Sequence, residues 1–218
     1  SKVGPHSVVL RVSDGTVDVD QGFTITVSNT NDTPVLTAIA NPDTVLEDGD
    51  SLVVRVTPTD IDAEALLTVT VTTDAGSLFP DGTITVEPPT AETGVERVIT
   101  MYPADNQHGR ADVIVYVTDN LETVNQDFQA TVTAVNDAPI ITSTADSTAT
   151  EDAAYSYTIT ASDVDGDTTL TYSAIDPLPD WLEFNESTHI LSSMAGQPDN
   201  SKVGPHSVVL RVSDGTVD

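Results

Sequence analysis

The chain has 218 residues, with seven Lys and Arg against 35 Asp and Glu, and its formal net charge is −28. Such a surface repels nucleic acid and anionic membranes, because binding to either needs Lys and Arg. The absence of cysteine excludes disulfides, thiolate metal sites and cysteine nucleophiles. No apolar run approaches the length of a membrane-spanning helix, so we expect no membrane insertion in this segment.

Short β-strands are predicted along almost the whole chain, and no stretch has a helical period. The strands are rich in Val, Thr and Ile, alternate in polarity, and are separated by clusters of Asp, Gly, Pro and Asn. In chain order they cover residues 7–13, 22–28, 52–57, 67–72, 83–87, 98–102, 112–118, 128–135, 155–161, 170–174 and 207–213. This regular spacing predicts an all-β fold made of antiparallel sandwiches.

An exact internal repeat sets the organisation of the chain. Residues 1–18 return unchanged as residues 201–218, which indicates a 200-residue repeating unit. Long tandem repeats usually build elongated arrays that extend or bind, so we expect neighbouring repeats of the same chain as partners.

Two similar motifs, Asn31-Asp32-Thr33-Pro34 and Asn136-Asp137-Ala138-Pro139, divide the chain. Each follows a predicted strand, and its proline fixes the exit direction, so we interpret both as interdomain linkers. The predicted domains are residues 1–33, the last two strands of a sandwich; 34–137, a complete sandwich; and 138–218, a sandwich without its last strand. Either the segment belongs to a longer array, or another copy completes the last sandwich by strand complementation with residues 19–28.

Acidic and amide side chains cluster in the predicted loops, in the same order in both domain types. A Glu-Asp pair comes first, an Asp-x-Asp motif second, a single Asp third, and the linker Asn-Asp last. The residues concerned are Glu47, Asp48, Asp60, Asp62, Asp119, Asn136 and Asp137 in one domain, Glu151, Asp152, Asp163, Asp165 and Asp214 in the next, and Asn31 and Asp32 in the first linker.

Loop topology predicts that some of these groups meet at a junction between domains. Loops alternate between the two ends of a seven-stranded sandwich, so the pair Glu47-Asp48 falls at the end of one domain. Asp163, Asp165 and Asp214 fall at the start of the next, with Asn136-Asp137 between them. Six to eight oxygen ligands at about 2.3–2.6 Å are what Ca²⁺ prefers. We therefore predict shared calcium at this junction, although Asp and Asn are also common in ordinary solvated turns.

The motif order resembles that of cadherins, and more closely the cadherin-like tandem repeats of large bacterial adhesins. The second predicted domain also resembles the dystroglycan-type cadherin-like family, through the phrase Leu178-Pro179-Asp180-Trp181-Leu182-Glu183-Phe184 and the later Val212-Ser213-Asp214-Gly215. The resemblance implies interdomain calcium held by Glu47, Asp60, Asp62, Asp119, Asn136, Asp137, Asp163, Asp165 and Asp214. One departure is Asp60-Ile61-Asp62-Ala63-Glu64, where the family has Asp-x-Asp-Gly-Asp.

No catalytic constellation stands out, so we expect a protein that is not an enzyme. Trp181 and Phe184 could stack on a sugar, but a lone Trp in a sandwich is more often a core residue. The expected function is a calcium-rigidified extender repeat of a cell-surface or secreted bacterial adhesin, located outside the cell. The alternatives are a module that binds a glycan or protein ligand, or an accessory region of a secreted polysaccharide-degrading enzyme.

Overall fold

The computed structural model describes residues 3–62, 65–166, 169–175, 177–195 and 198–216. The chain divides into two compact units, Ser1–Ala134 and Val135–Asp218. The boundary lies just before the Asn136-Asp137 motif, and residues 1–33 group with the first sandwich. Glu64 and Asp167 each follow an Asp-x-Asp motif by two residues and are further candidate ligands from the sequence, but both lie outside the described residues.

The first unit contains a hairpin and a two-layered sandwich. Its strands are β1 (Gly4–Ser13), β2 (Asp18–Val27), β3 (Val45–Leu46), β4 (Leu52–Val56), β5 (Leu66–Thr73), β6 (Ile84–Glu87), β7 (Thr90–Glu92), β8 (Arg97–Met101), β9 (Gly109–Thr118) and β10 (Thr123–Thr133). One sheet has the order β3-β10-β9-β5-β7 and the other the order β4-β8-β6. All pairs are antiparallel except β3 with β10, which run parallel. This topology is that of an immunoglobulin-like sandwich.

The core of this sandwich follows directly from the alternation along its strands. In β9, the side chains of Ala111, Val113, Val115 and Val117 are no more than 1% exposed, and their neighbours along the strand are not buried. They face Leu52, Leu67, Ile99 and other apolar residues of both sheets. The period of two that predicted the strands therefore also predicts the buried face.

Arg97 is a charged residue that is fully buried in the sandwich, at 0% exposure. Its guanidinium donates hydrogen bonds to the carbonyl oxygens of Val95, Leu67 and Ala91, at 2.5, 3.1 and 2.9 Å. Burial lowers the pKa of Arg97. These bonds join β8 to β5 and β7, and they offset part of the cost of burying a cation.

The β1–β2 hairpin pairs over its full length, from Gly4 opposite Val27 to Ser13 opposite Asp18. Its residues are exposed on both faces of the ribbon, apart from Gly4 and Val8, which are partly buried. A two-stranded ribbon without a covered face is marginally stable in water. The two strands that the sequence predicts for residues 1–33 are thus present, and their apolar side chains remain solvent-exposed.

The second unit is a smaller set of sheets with its own core. Its elements are β11 (Ile140–Ile141), β12 (Ser156–Thr158), β13 (Ala161–Ser162), β14 (Thr171–Ala174), β15 (Leu182–Asn185), β16 (Ile190–Ser193), a 3₁₀ turn (Asn200–Lys202) and β17 (Leu210–Ser213). The sheets are β11-β13, β12-β16-β15 and β14-β17. Trp181, Leu182 and Leu191 form the buried cluster, so the prediction that Trp181 is a core residue is confirmed.

The strand predictions were incomplete. The structure adds the short strands β3, β7 and β11 and the β15–β16 hairpin, which the sequence pattern did not reveal. β10 begins at Thr123, five residues before the predicted start, and residues 155–161 form two separate strands, β12 and β13. Among the described residues no helix is long and apolar enough to span a membrane.

We predict that Leu67→Ala destabilises the first unit by about 2–5 kcal/mol, because the side chain is 0% exposed and its removal leaves a cavity. The neighbouring Leu66 is 53% exposed, so Leu66→Ala is the matched control and should cost less than about 0.5 kcal/mol. Urea unfolding followed by circular dichroism measures the change. The lone tryptophan, Trp181, reports separately on the second unit, whose transition should not move. Equal losses for the two variants would contradict the assigned register of β5.

Candidate functional site

The first acidic cluster consists of Asn31, Asp32, Asp60, Asp62 and Asp119. A bridge between Val35 and Thr59 brings the first linker beside the β4–β5 loop, with N···O distances of 2.7 and 3.0 Å. Asp119 follows β9 at the tight turn into β10. Three segments that are distant in sequence are therefore held at one end of the sandwich.

Hydrogen bonds join the members of this cluster. The Asn31 side chain donates to Asp119 Oδ2 at 2.9 Å, and the backbone N–H of Asp32 donates to Asp62 Oδ2 at 3.0 Å. The N–H of Asp62 donates to Asp60 Oδ1 at 2.8 Å. Within the described residues, the other oxygen, Asp60 Oδ2, is buried and has no hydrogen-bond partner.

The second acidic cluster, Asn136, Asp137, Asp163, Asp165 and Asp214, repeats the same contacts in the other unit. Asn136 donates to Asp214 Oδ2 at 2.6 Å, and the N–H of Asp137 donates to Asp165 Oδ2 at 2.8 Å. The N–H of Asp165 donates to Asp163 Oδ1 at 2.9 Å. Asp163 Oδ2 is buried without a hydrogen-bond partner in the described structure, as Asp60 Oδ2 is.

A buried carboxylate oxygen without a donor is costly, because desolvation is not repaid by a hydrogen bond. The first Asp of each Asp-x-Asp motif carries such an oxygen, and the nearby donors are already taken by other carboxylate oxygens. A hard cation is a group that can satisfy it, since the surrounding atoms are carboxylate and amide oxygens. The chemistry of both clusters therefore fits calcium.

The two clusters do not form a closed cage. Across the residues that the structure describes, no group of three His, Cys, Asp or Glu side chains is placed to hold a metal ion. The carboxylates instead accept hydrogen bonds from backbone and asparagine N–H groups. Asn29 adds a further contact of this kind, donating to Asp62 Oδ1 at 2.8 Å.

The Glu-Asp pairs lie elsewhere in each unit. Glu47 follows β3, its side chain is 1% exposed, and its carboxylate lies 3.1 Å from Nδ1 of His108. Asp48 has a positive φ of 57° and accepts a hydrogen bond from the N–H of Asn106 at 2.8 Å. Since His108 precedes β9 and Asp119 follows it, the ten-residue strand separates this pair from the first acidic cluster by about 30 Å.

The second Glu-Asp pair has the same local structure. Asp152 has a φ of 59°, and Glu151 accepts a hydrogen bond from the side chain of Asn200 at 2.8 Å. Each pair thus contacts a loop of its own unit. The convergence of Glu47-Asp48 with the second acidic cluster at one junction stays a prediction.

Two contacts at these places were not foreseen from the sequence. His108 contacts the buried Glu47. Thr33, next to the first linker, donates a hydrogen bond to Glu122 in the β9–β10 turn. Neither contact has a sequence signal, because both depend on which loops the sandwich brings together.

The turn that contains Asp119 lowers the pKa of its carboxyl group. The backbone N–H groups of Glu122 and Leu121 donate to Oδ1, and with Asn31 they hold the pKa of Asp119 below its ordinary value. The homologous Asp14 in the β1–β2 turn also has a lowered pKa, caused by the N–H groups of Val17 and Thr16. These carboxylates therefore stay ionised at pH values that are low enough to protonate an ordinary aspartate.

Comparisons with known proteins agree with the fold. The family model described as "Putative Ig domain" matches residues 138–218. The human desmocollin-1 ectodomain matches 99% of the chain with a TM-score of 0.57 and 13% identity, and the chain spans 45% of its length. The first two domains of human protocadherin-24 match 84% of the chain, which covers 87% of that structure, with a TM-score of 0.44 and 17% identity.

A third similar structure is an endo-fucoidan hydrolase of glycoside hydrolase family 107. It matches the whole chain at 21% identity and a TM-score of 0.36, and the chain spans 33% of its length. No curated protein matches the chain. Together with the topology, the family-model match and the likeness to desmocollin-1 define an Ig-like, cadherin-like β-sandwich fold.

We predict that Asn31→Ala raises the pKa of Asp119 toward its ordinary value, because one of the hydrogen bonds to the ionised carboxylate is lost. Stability from Asp119 is present above its unfolded-state pKa and is lost as the pH falls through its lowered folded-state pKa. The substitution should therefore move this loss to higher pH. An NMR titration of the carboxyl carbon measures it in calcium-free buffer.

Asn29→Ala is the matched control for this titration, because Asn29 contacts Asp62 rather than Asp119. It should leave the Asp119 titration in place. If the two variants shift the Asp119 titration equally, the contact between Asn31 and Asp119 does not exist in solution.

Proposed function

We propose that this segment is a calcium-rigidified extender repeat of a cell-surface or secreted adhesin, and that it works outside the cell as a non-catalytic spacer. The observation that carries the proposal is the recurrence of one acidic arrangement at both linkers. In each, the same three kinds of hydrogen bond accompany a buried carboxylate oxygen that has no hydrogen-bond partner in the described structure. Two independent turns would not be expected to reproduce this arrangement by chance.

The first step of the mechanism is electrostatic repulsion. Each cluster holds four aspartates, and the whole chain has a net charge of −28. At physiological salt the Debye length is about 8 Å, so charges within a cluster are only partly screened. Without cations this repulsion opposes a tightly held linker.

Calcium would remove that repulsion and add bonds between segments. Asp60, Asp62 and Asp119, with linker Asn31 and Asp32, would hold it in the first unit, and the equivalent residues would hold it in the second. Extracellular modules bind calcium with dissociation constants on the order of 10⁻⁴–10⁻³ M. At about 1 mM calcium, each site would then stabilise its unit by about 0.4–1.4 kcal/mol.

The sugar-binding alternative has little support at Trp181. The side chain is only 5% exposed and makes edge contacts with Tyr155 and His206, at centroid distances of 6.4 and 5.5 Å. Its ring is therefore covered by neighbouring side chains rather than presented to solvent as a platform. The described structure offers no specific observation that favours a catalytic accessory role.

We predict that calcium raises the melting temperature of both units relative to chelator, and that small-angle scattering shows a longer, less variable particle. Magnesium should substitute poorly, since it demands tighter octahedral geometry. Differential scanning calorimetry measures the first effect. Identical melting temperatures and scattering curves in millimolar calcium and in chelator would contradict the proposal.

We further predict that Asp163→Asn has effects of opposite sign in chelator and in calcium. In chelator it removes one of several repelling charges and keeps an acceptor for the N–H of Asp165, so the second unit should be as stable as wild type or more so. In calcium it removes a ligand, so the stabilisation of the second unit by the ion should be lost.

Asp146→Asn is the control for this variant. Asp146 accepts its hydrogen bonds from Thr148, away from the Asp-x-Asp motif, so its substitution should leave the calcium response intact. Fluorescence of Trp181 during thermal unfolding reports the second unit. If Asp163→Asn retains the full calcium response, the second acidic cluster is not a calcium site.

A further inference from the structure

The first linker is held on its sandwich by two side-chain contacts in addition to those that both acidic clusters share. The side chain of Asn29 donates a hydrogen bond to Asp62 Oδ1 at 2.8 Å. At the other end of the linker, the hydroxyl of Thr33 donates a hydrogen bond to Glu122 Oε2. We call these two contacts the linker strap. Because both acceptors are carboxylates, such bonds are stronger than those between neutral groups.

The linker strap reaches two loops that are distant from each other in sequence. Asp62 belongs to the loop between β4 and β5, whereas Glu122 belongs to the turn between β9 and β10. The shared contacts already tie Asn31 and Asp32 to the same loop and turn. The strap therefore adds one bond at each end of the linker, so that both ends are fixed to the sandwich that follows.

The second linker has no donors for a strap of this kind. When the two Asn-Asp motifs are aligned, Ala134 stands at the position of Asn29, and Ala138 stands at the position of Thr33. An alanine side chain has no hydrogen-bonding group, so neither contact of the strap can form there. The difference between the linkers is therefore written in the sequence and does not depend on side-chain placement.

The acceptor in the β9–β10 turn also differs between the two domain types. In that turn, the side chain of Asp119 accepts hydrogen bonds from the N–H groups of Glu122 and of the residue before it. The β1–β2 turn has the same structure, with bonds to Asp14 from Val17 and the residue before it. A valine therefore occupies the position of Glu122 in that turn, and the sequence of residues 214–217 is identical to it.

In the absence of calcium, the linker strap opposes the repulsion between carboxylates. It supplies donors from the linker itself to the carboxylates of Asp62 and Glu122. Both contacts are exposed to solvent, so each contributes modestly, but the two act on the same short segment. The bridge between Val35 and Thr59 follows directly and continues this attachment into the sandwich.

We propose that the linker strap keeps the first linker docked on the sandwich that follows it when calcium is absent, whereas the second linker depends on the ion. The inference rests on the proposed calcium function for the second linker, and on hydrogen bonds alone for the first. In an array of 200-residue units the two kinds of linker alternate. Loss of calcium would then release every second linker, so the array would loosen with a period of two domains.

Amide hydrogen exchange followed by NMR tests the strap in the whole chain. The double variant Asn29→Ala, Thr33→Ala removes both donors and gives the first linker the residues of the second at these positions. In chelator, the protection of the Asp32 N–H, which bonds Asp62 Oδ2, should fall by at least about fivefold. The N–H of Val115 in the central strand β9 checks that the sandwich stays folded.

Thr30→Val is the matched control for the double variant. Position 30 is the remaining difference between the two linkers from Asn29 to Pro34, because Val135 stands there in the second. The change removes a hydroxyl that takes no part in the strap, so the protection of Asp32 should stay at the wild-type level in chelator. If the double variant keeps wild-type protection, or if Thr30→Val lowers it equally, the strap does not hold the linker.

The same exchange measurement in calcium separates a failure of the strap from a failure of the proposed function. The double variant keeps Asp60, Asp62 and Asp119, so millimolar calcium should raise the protection of its Asp32 N–H by at least about twofold. If calcium has no effect while the loss in chelator is observed, the strap stands and the calcium function fails at this site. If calcium has its effect but wild type and double variant exchange alike in chelator, the strap alone fails.

The N–H of Asp137 reports on the second linker in the same spectra, because it bonds Asp165 Oδ2 as Asp32 bonds Asp62. Both amides follow an asparagine, so their exchange rates in an unfolded chain are comparable. In chelator, wild-type Asp137 should be at least about fivefold less protected than Asp32. Equal protection of the two amides in chelator would overturn the proposed difference between the linkers.

Discussion

Carboxylates held close together at the start of each unit are the constraint on which the rest of this structure depends. The fold itself creates them, because a sandwich brings the linker, the loop after its second strand and the turn after its penultimate strand to one end. Backbone and asparagine N–H groups then fix the acids by hydrogen bonds such as that from Asp32 to Asp62. In the part of the chain that the structure describes, these donors leave one buried oxygen of Asp60 and one of Asp163 without a hydrogen bond. A chain with 35 acidic residues and seven basic ones has few cations of its own to supply there.

Many strands of the sandwich could be predicted from the alternation of polar and apolar residues, and the exceptions have physical causes. β4, β5, β8 and β9 are long enough to show a period of two, and their predicted ranges overlap the observed strands. β3 and β7 have two and three residues, too few to show any period. β10 begins earlier than predicted because its first half alternates Val124 and Gln126 with polar residues, and a half-buried Gln breaks the apolar pattern. The grouping of the Asp-x-Asp motif with the linker followed from loop topology. The contact between His108 and Glu47, at 3.1 Å, could not be predicted, because the sequence does not show which loops the fold brings together.

The repeated segment shows why strand propensity alone does not determine a strand. Residues 4–13 and 204–213 have equal propensity in every position, yet one forms ten residues of ladder and the other forms four. A strand needs a partner for its N–H and C=O groups and a surface for its side chains. β1 has a backbone partner, β2, but no apolar surface that covers its side chains. Residues 204–209 have an apolar surface beside them, and the assigned strand begins only after them.

The position of Asp214 depends on the strand that leads to it. In the first unit, Asp119 is positioned by the turn that joins β9 to the last strand, through the N–H groups of Leu121 and Glu122. In the second unit, Asp214 stands at the same place and accepts a hydrogen bond from the N–H of Thr216 at 2.6 Å. β17 leads directly to Asp214, so the pairing of β17 with β14 helps to fix where this carboxylate lies. A cation bound by Asp214 would in turn hold the end of that ladder. Because coupling between two such events is reciprocal, formation of the ladder and binding of a cation would strengthen each other by the same factor.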